Sequence, residues 1–144
     1  MALVHTLTIA LHVLFAAAWF GMGIGLLPLS RSRLAGGPPE GDKLVRAMNG
    51  SAALFYVFAM ANWMLGLRLG FEVQYNTWPY HTSLTLGLIL VAVQFAIIWP
   101  AWRKLRAGGG EKAQKRLAMG VGIGHLVWMV LFVLMYVGRG VVGA

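Results

Sequence analysis

The sequence has no cysteine and very little charge. Without cysteine there is no disulfide framework, no thiolate metal site and no thioether attachment of haem. Asp and Glu together number four, and none falls inside a long apolar run. That argues against a carboxylate-based proton or cation pump. It also leaves any membrane interior without a carboxylate general base. No Ser-His-Asp or His-Glu-x-x-His pattern occurs. The first residues lack the cationic region of a signal peptide, and their apolar run is too long for one, so it reads as a retained helix.

What remains is apolar. Of 144 residues, 59% are hydrophobic and 11% are charged, where a soluble domain carries about 25% charged residues. A domain this small has too much surface to hide such a composition from water. Four stretches lack Asp, Glu, Lys and Arg and are long enough for the roughly 20 residues that cross a bilayer core. They run from Met1 to Ser30, Ala47 to Leu67, Val73 to Trp102 and Leu117 to Gly138. The expected fold is all-α: one domain over 1–144, a bundle of four transmembrane helices near 3–28, 46–69, 80–102 and 116–138. Gly and Pro in LAGGPPEGD and Gly in AGGG punctuate two connections. The third, EVQYNTWPY, is polar and aromatic. Trp78 and Tyr80 suit the headgroup level, and Pro79 suits a first helical turn.

The net charge of +8 would suggest nucleic acid in a soluble protein, but the positions point to topology. Arg31, Arg33, Lys43 and Arg46 flank the first connection. Arg103, Lys104, Arg106, Lys112, Lys115 and Arg116 flank the third. Only Arg68 and Arg139 lie at the other end. By the positive-inside rule the basic connections are cytoplasmic and both termini face out (N-out, C-out). The expected location is the inner (plasma) membrane, with the basic runs touching anionic lipid and no nucleic-acid partner.

Four histidines fall in or beside the spans, and intramembrane ionisable groups tend to mark sites. Depth counted at about 1.5 Å per residue sorts them into an outer pair, His5 and His81, and a central pair, His12 and His125. His5, His12, Ala16, Trp19 and Gly23 share a stripe of the first helix. His125 shares one with Met129, Phe132 and Tyr136. Paired imidazoles from facing helices can hold a b-type haem without cysteine. Arg68 and Arg139 would then be placed to meet its propionates. A membrane histidine can equally serve as an interhelical hydrogen-bonding group, and copper held by His5, His81 and a Met is a further ligand set. Asn49, Asn62 and Gln94 read as interhelical hydrogen-bonding amides. The run GVGIG, Gly120 to Gly124, reads as close helix packing.

The first span, LHVLFAAAWFGMGIGLLPLSR over 11–31, has His12, Trp19, Gly21 and Pro28 before a basic segment. It resembles helix 1 of the membrane superfamily that includes the CopD copper-resistance proteins and the HemJ-type protoporphyrinogen oxidases. The resemblance implies a four-helix membrane fold and a haem-related role for His12. The lysine expected near the start of the third helix in the HemJ type is absent; YHTSLTLG stands there. GIGHLVW stands where that family has an Asn-Glu-Pro pattern. The leading expectation is a b-type haem protein passing electrons between a quinone or periplasmic partner and another redox centre, using His12, His125, His5 and His81. CopD-like copper handling, a HemJ-like haem-dependent oxidoreductase and a structural subunit are the alternatives. Homodimers and larger complexes are both compatible with the sequence.

Overall fold

The computed structural model describes residues 2–36, 41–71 and 75–142, with side chains described as far as 137. The described residues form helices and their connections, with no strand. We label the helices α1 (Ala2–Leu34), α2 (Gly41–Arg68), α3 (Trp78–Arg106) and α4 (Gly110–Val142). All four are long and apolar enough to cross a membrane.

Each helix outruns its sequence-based bounds, mostly at the basic end. The sequence limits were set where charge begins, because charge leaves hydrocarbon. A helix does not stop at that plane; its backbone stays hydrogen-bonded as it enters water. α1 passes through Pro28 to Leu34, and α4 starts at Gly110 rather than near 116. Pro79 does occupy the first turn of α3.

The bundle closes as a ring. α1 lies along α2, α3 along α4, α4 returns to α1, and α2 also meets α3. Its interior follows heptad-like spacing: α1 buries His5, Thr8, His12, Ala16, Trp19, Gly23, Leu26 and Ser30. Leu3 is 72% exposed and Leu126 is 68% exposed, whereas Gln94 and Ser30 are wholly buried. Polar side chains are buried among apolar ones while many large aliphatic side chains face out, which suits a bilayer as the surrounding solvent.

α3 is not uniform. Residues Gln94–Ile98 form one π turn, in which Trp99 N–H donates to Gln94 O. Pro100 follows at once. A proline lacks an N–H and its ring crowds the preceding turn; a wider turn relieves that crowding. Gly120 of α4 packs on this turn, where an added Cβ would lie 2.9 Å from Ile97. Of the GVGIG glycines it alone makes so close an approach, since Gly122 faces open space.

At the basic end Trp102 Nε1–H donates to Asp42 at 2.7 Å, and Arg106 pairs with the same carboxylate at 3.0 Å. At the opposite end Gly70, with φ +82°, turns the chain out of α2 as Phe71 N–H caps Gly66 O at 3.0 Å. The chain then brings Tyr75 back into the bundle, where its ring lies flat on Gly66, with no room for a Cβ there. Gly66→Ala should therefore cost about 1–3 kcal/mol through overpacking. The check is thermal unfolding in detergent, with Gly50→Ala, which faces open space, as the unaffected control.

Candidate functional site

His12 sits on the buried stripe of α1, opposite Phe55 of α2. Its Nδ1 lies 3.0 Å from Phe55 O. A carbonyl oxygen only accepts, so Nδ1 carries the hydrogen and donates it. The His12 ring also stacks on the Phe55 ring, with centroids 4.6 Å apart. Both contacts fix the imidazole and leave Nε2 with its lone pair. His12 lines a cavity of about 190 Å³ together with Phe55, Asn62, Tyr75, Tyr80 and Ser83. All four helices contribute to its walls, near the end of the bundle opposite the basic connections.

The outer wall of this cavity is a hydrogen-bonded chain. Tyr75 Oη lies 2.8 Å from His5 Nε2 and donates to Asn62 Oδ1 at 3.2 Å. The hydroxyl has one hydrogen, so with that hydrogen on Asn62 the His5 bond is donated by Nε2–H. All three side chains are buried. Phe71 covers the His5 ring and Tyr80 meets the Tyr75 ring edge-on.

A second polar cluster lies toward the middle. Trp19 Nε1–H donates to Gln94 Oε1 at 3.0 Å, and Gln94 Nε2–H donates to Asn49 Oδ1 at 2.8 Å. Asn49 and Gln94 thus do bond between helices, whereas Asn62 bonds to Tyr75 of the connection between α2 and α3; Gln94 joins α1, α2 and α3 at the π turn. Trp19 shares the His12 stripe but is occupied by Gln94 rather than by the cavity.

The histidine pairs expected from the sequence do not form. His125 packs at Gly23, where an added Cβ would lie 3.1 Å from its Nε2, and edge-on to Phe20. Those residues lie eight to eleven positions beyond His12, about 12–16 Å along the helix. Depths counted from opposite faces meet only if each helix is as long as the bilayer core. α1 has 33 residues, about 50 Å, so the two counts fall short of each other. The α4 stripe through His125 is also not the buried one. Met129, Phe132 and Tyr136 are exposed, while Leu117, Val121, Trp128 and Leu131 form the inner face. His125 borders a smaller cavity of about 20 Å³.

His5 and His81 likewise go separate ways. His81 is exposed and its Nε2 lies 2.9 Å from Asn76 Oδ1. Arg68 is exposed on the last turn of α2 and does not line the cavity. The side chain of Arg139 lies outside the described residues. Among the described residues, no three His, Asp or Glu side chains come together as a metal site. Sequence reasoning missed Tyr75, whose aromatic, polar surroundings suggested only a headgroup anchor, and it missed the Phe55 carbonyl, for which side-chain patterns carry no signal.

No family model, curated protein or solved structure matches the chain.

Gln94→Leu should strand the Trp19 N–H and the Asn49 amide. The expected cost is about 1–2 kcal/mol, the upper range for hydrogen bonds between membrane helices. Unfolding in mixed detergent would register it.

Proposed function

We propose that this chain is a multi-pass membrane redox protein that holds a b-type haem at the cavity through His12. The supporting observation is the Nδ1–H bond from His12 to Phe55 O, which leaves Nε2 available beside the cavity. Histidines bound to metals usually have the other ring nitrogen anchored in this way. The donor set fits one axial bond, not the paired ligation expected from the sequence. A porphyrin supplies four nitrogens itself, so one imidazole suffices. Bare copper needs several protein donors, which the His12 site does not gather, so copper handling of the CopD kind is the weaker proposal.

His12 would bind the group, the Phe55 carbonyl would hold its ring in register, and Phe55, Pro79 and Leu84 would exclude water. The group would supply one-electron transfer. Enclosed ligand pockets commonly measure about 300–1,000 Å³, so a cavity of about 190 Å³ would cover part of a macrocycle. That size favours a second reading, in which a quinone ring enters the cavity and bonds to His12 Nε2. In either case the partner is a lipophilic or periplasmic electron carrier at the inner membrane. A HemJ-like oxidase is not supported by any lysine beside the cavity.

Detergent-purified protein expressed with ample haem should show a reduced α-band. His12→Ala should abolish it and His125→Ala should leave it. Absence of the band from the parent protein would refute the haem reading, and binding of a quinone analogue that depends on His12 would then support the second.

Topology has its own test, made simple by the absence of cysteine. We propose that the basic connections are cytoplasmic. Ser32→Cys and Ala107→Cys should be shielded from an impermeant thiol reagent added outside intact cells, while Asn76→Cys should react. The opposite pattern would invert the orientation.

A further inference from the structure

The cavity has one wall that ligand binding by His12 does not use. His5, Tyr75 and Asn62 form a continuous donor chain, His5 Nε2–H to Tyr75 Oη and Tyr75 O–H to Asn62 Oδ1, at 2.8 and 3.2 Å. Its inner members, Tyr75 and Asn62, line the cavity. Its outer member, His5, is three residues from the start of α1, about 5 Å along the axis from the helix end. The chain therefore runs from the cavity to the amino-terminal end of the bundle.

Burial of an uncompensated charge in a bilayer is expensive. A cavity group that gains an electron gains a negative charge, and no carboxylate lies inside the spans to take the matching proton. The titratable groups around the chain can be named. Tyr75 faces His5 directly, Tyr80 of α3 meets Tyr75 edge-on, and His12 also lines the cavity. Glu72, three positions before Tyr75, lies outside the described residues. His81 is turned to Asn76. Among the described residues, His5 is the base that Tyr75 and Asn62 tie to the cavity wall, while His12 is held by the Phe55 carbonyl.

We propose that the His5–Tyr75–Asn62 chain couples proton uptake at the amino-terminal end of the bundle to electron arrival in the cavity. This rests on the reading that the cavity holds a redox group. As one electron enters the cavity from a one-electron donor, His5 takes one proton from water. The charge inside the bundle is then unchanged. No bond to the cavity group forms or breaks. His5⁺ still donates to Tyr75 through Nε2–H, so the chain survives protonation and carries its polarisation inward through the Tyr75 hydroxyl. Tyr75 is a positioning residue, seated by the close fit of its ring on Gly66.

Two measurements test this. In the protein as purified, ¹⁵N-histidine spectra taken from pH 5 to 8 should show one Nε2-protonated ring that is perturbed by Tyr75→Phe and lost in His5→Gln. An unchanged His5 signal in Tyr75→Phe would overturn the chain, whether or not haem binds. In haem-loaded protein the midpoint potential should fall as pH rises, toward the tenfold-per-59 mV limit of a one-electron couple. His5→Gln and Tyr75→Phe should flatten that slope, while His81→Ala should keep it. A flat slope in the parent protein, or a full slope in His5→Gln, would overturn the coupling. Failure to take up haem at all would strike the proposed function and leave the chain to be judged by the histidine spectra.

Discussion

In hydrocarbon a polar side chain has no water to bond, so groups inside this bundle bond back to their own helix, as Thr8 and Ser30 do, or across to a neighbouring element, as His12 and Gln94 do. That constraint acts beside apolar packing, which buries Leu26, Leu90, Leu117 and Leu131. Lipid is as apolar as leucine, so apolar burial alone does little to set the register of the helices. Register falls to side chains that bond or pack closely: His5, His12, Trp19, Asn62 and Gln94, with Ala16, Gly23 and Gly66. The helices are held in register by a few directed contacts. Gln94 fixes three of them at one point, and Tyr75 fixes the amino-terminal end through two bonds and a glycine seat.

The same constraint separates the two halves of the bundle. Toward the basic end the interior is closed by Trp102, Leu105, Leu117 and Leu26, all buried. Toward the other end aromatic and hydroxyl side chains stand apart and leave the cavity. His12 lies on the border between these regions. Its ring is held by a backbone carbonyl rather than by another side chain, so it keeps one nitrogen for a ligand without leaving a buried donor unpaired.

Much of this was legible in the sequence. Composition and run length gave the helices, and the spacing of His5, His12, Trp19 and Gly23 gave the buried face of α1. Asn49, Asn62 and Gln94 stood out as amides in need of partners. The mutual placement of histidines was not legible, because it depends on helix overrun and on rotation about each axis. One residue of rotation, from the Gly124 and Trp128 stripe to the His125 stripe, moves a side chain from the core to its rim. The Phe55 carbonyl was invisible for a different reason: any residue at that position would supply one.

The π turn in α3 has a consequence for how this helix can vary. A single π turn amounts to one extra residue within an α-helix, and each α-helical residue advances the phase by about 100°. The half of α3 that carries Ser83 and Gly87 is thus offset from the half that carries Trp102. Deleting one residue within 94–98 would restore an unbroken α-helix and leave those two faces in phase. If the turn instead became α-helical with every residue kept, one half would rotate by about 100° against the other, and the cavity wall and the Trp102–Asp42 contact could not both keep their places. The π turn is therefore what lets a helix one residue too long keep both ends on the same interior.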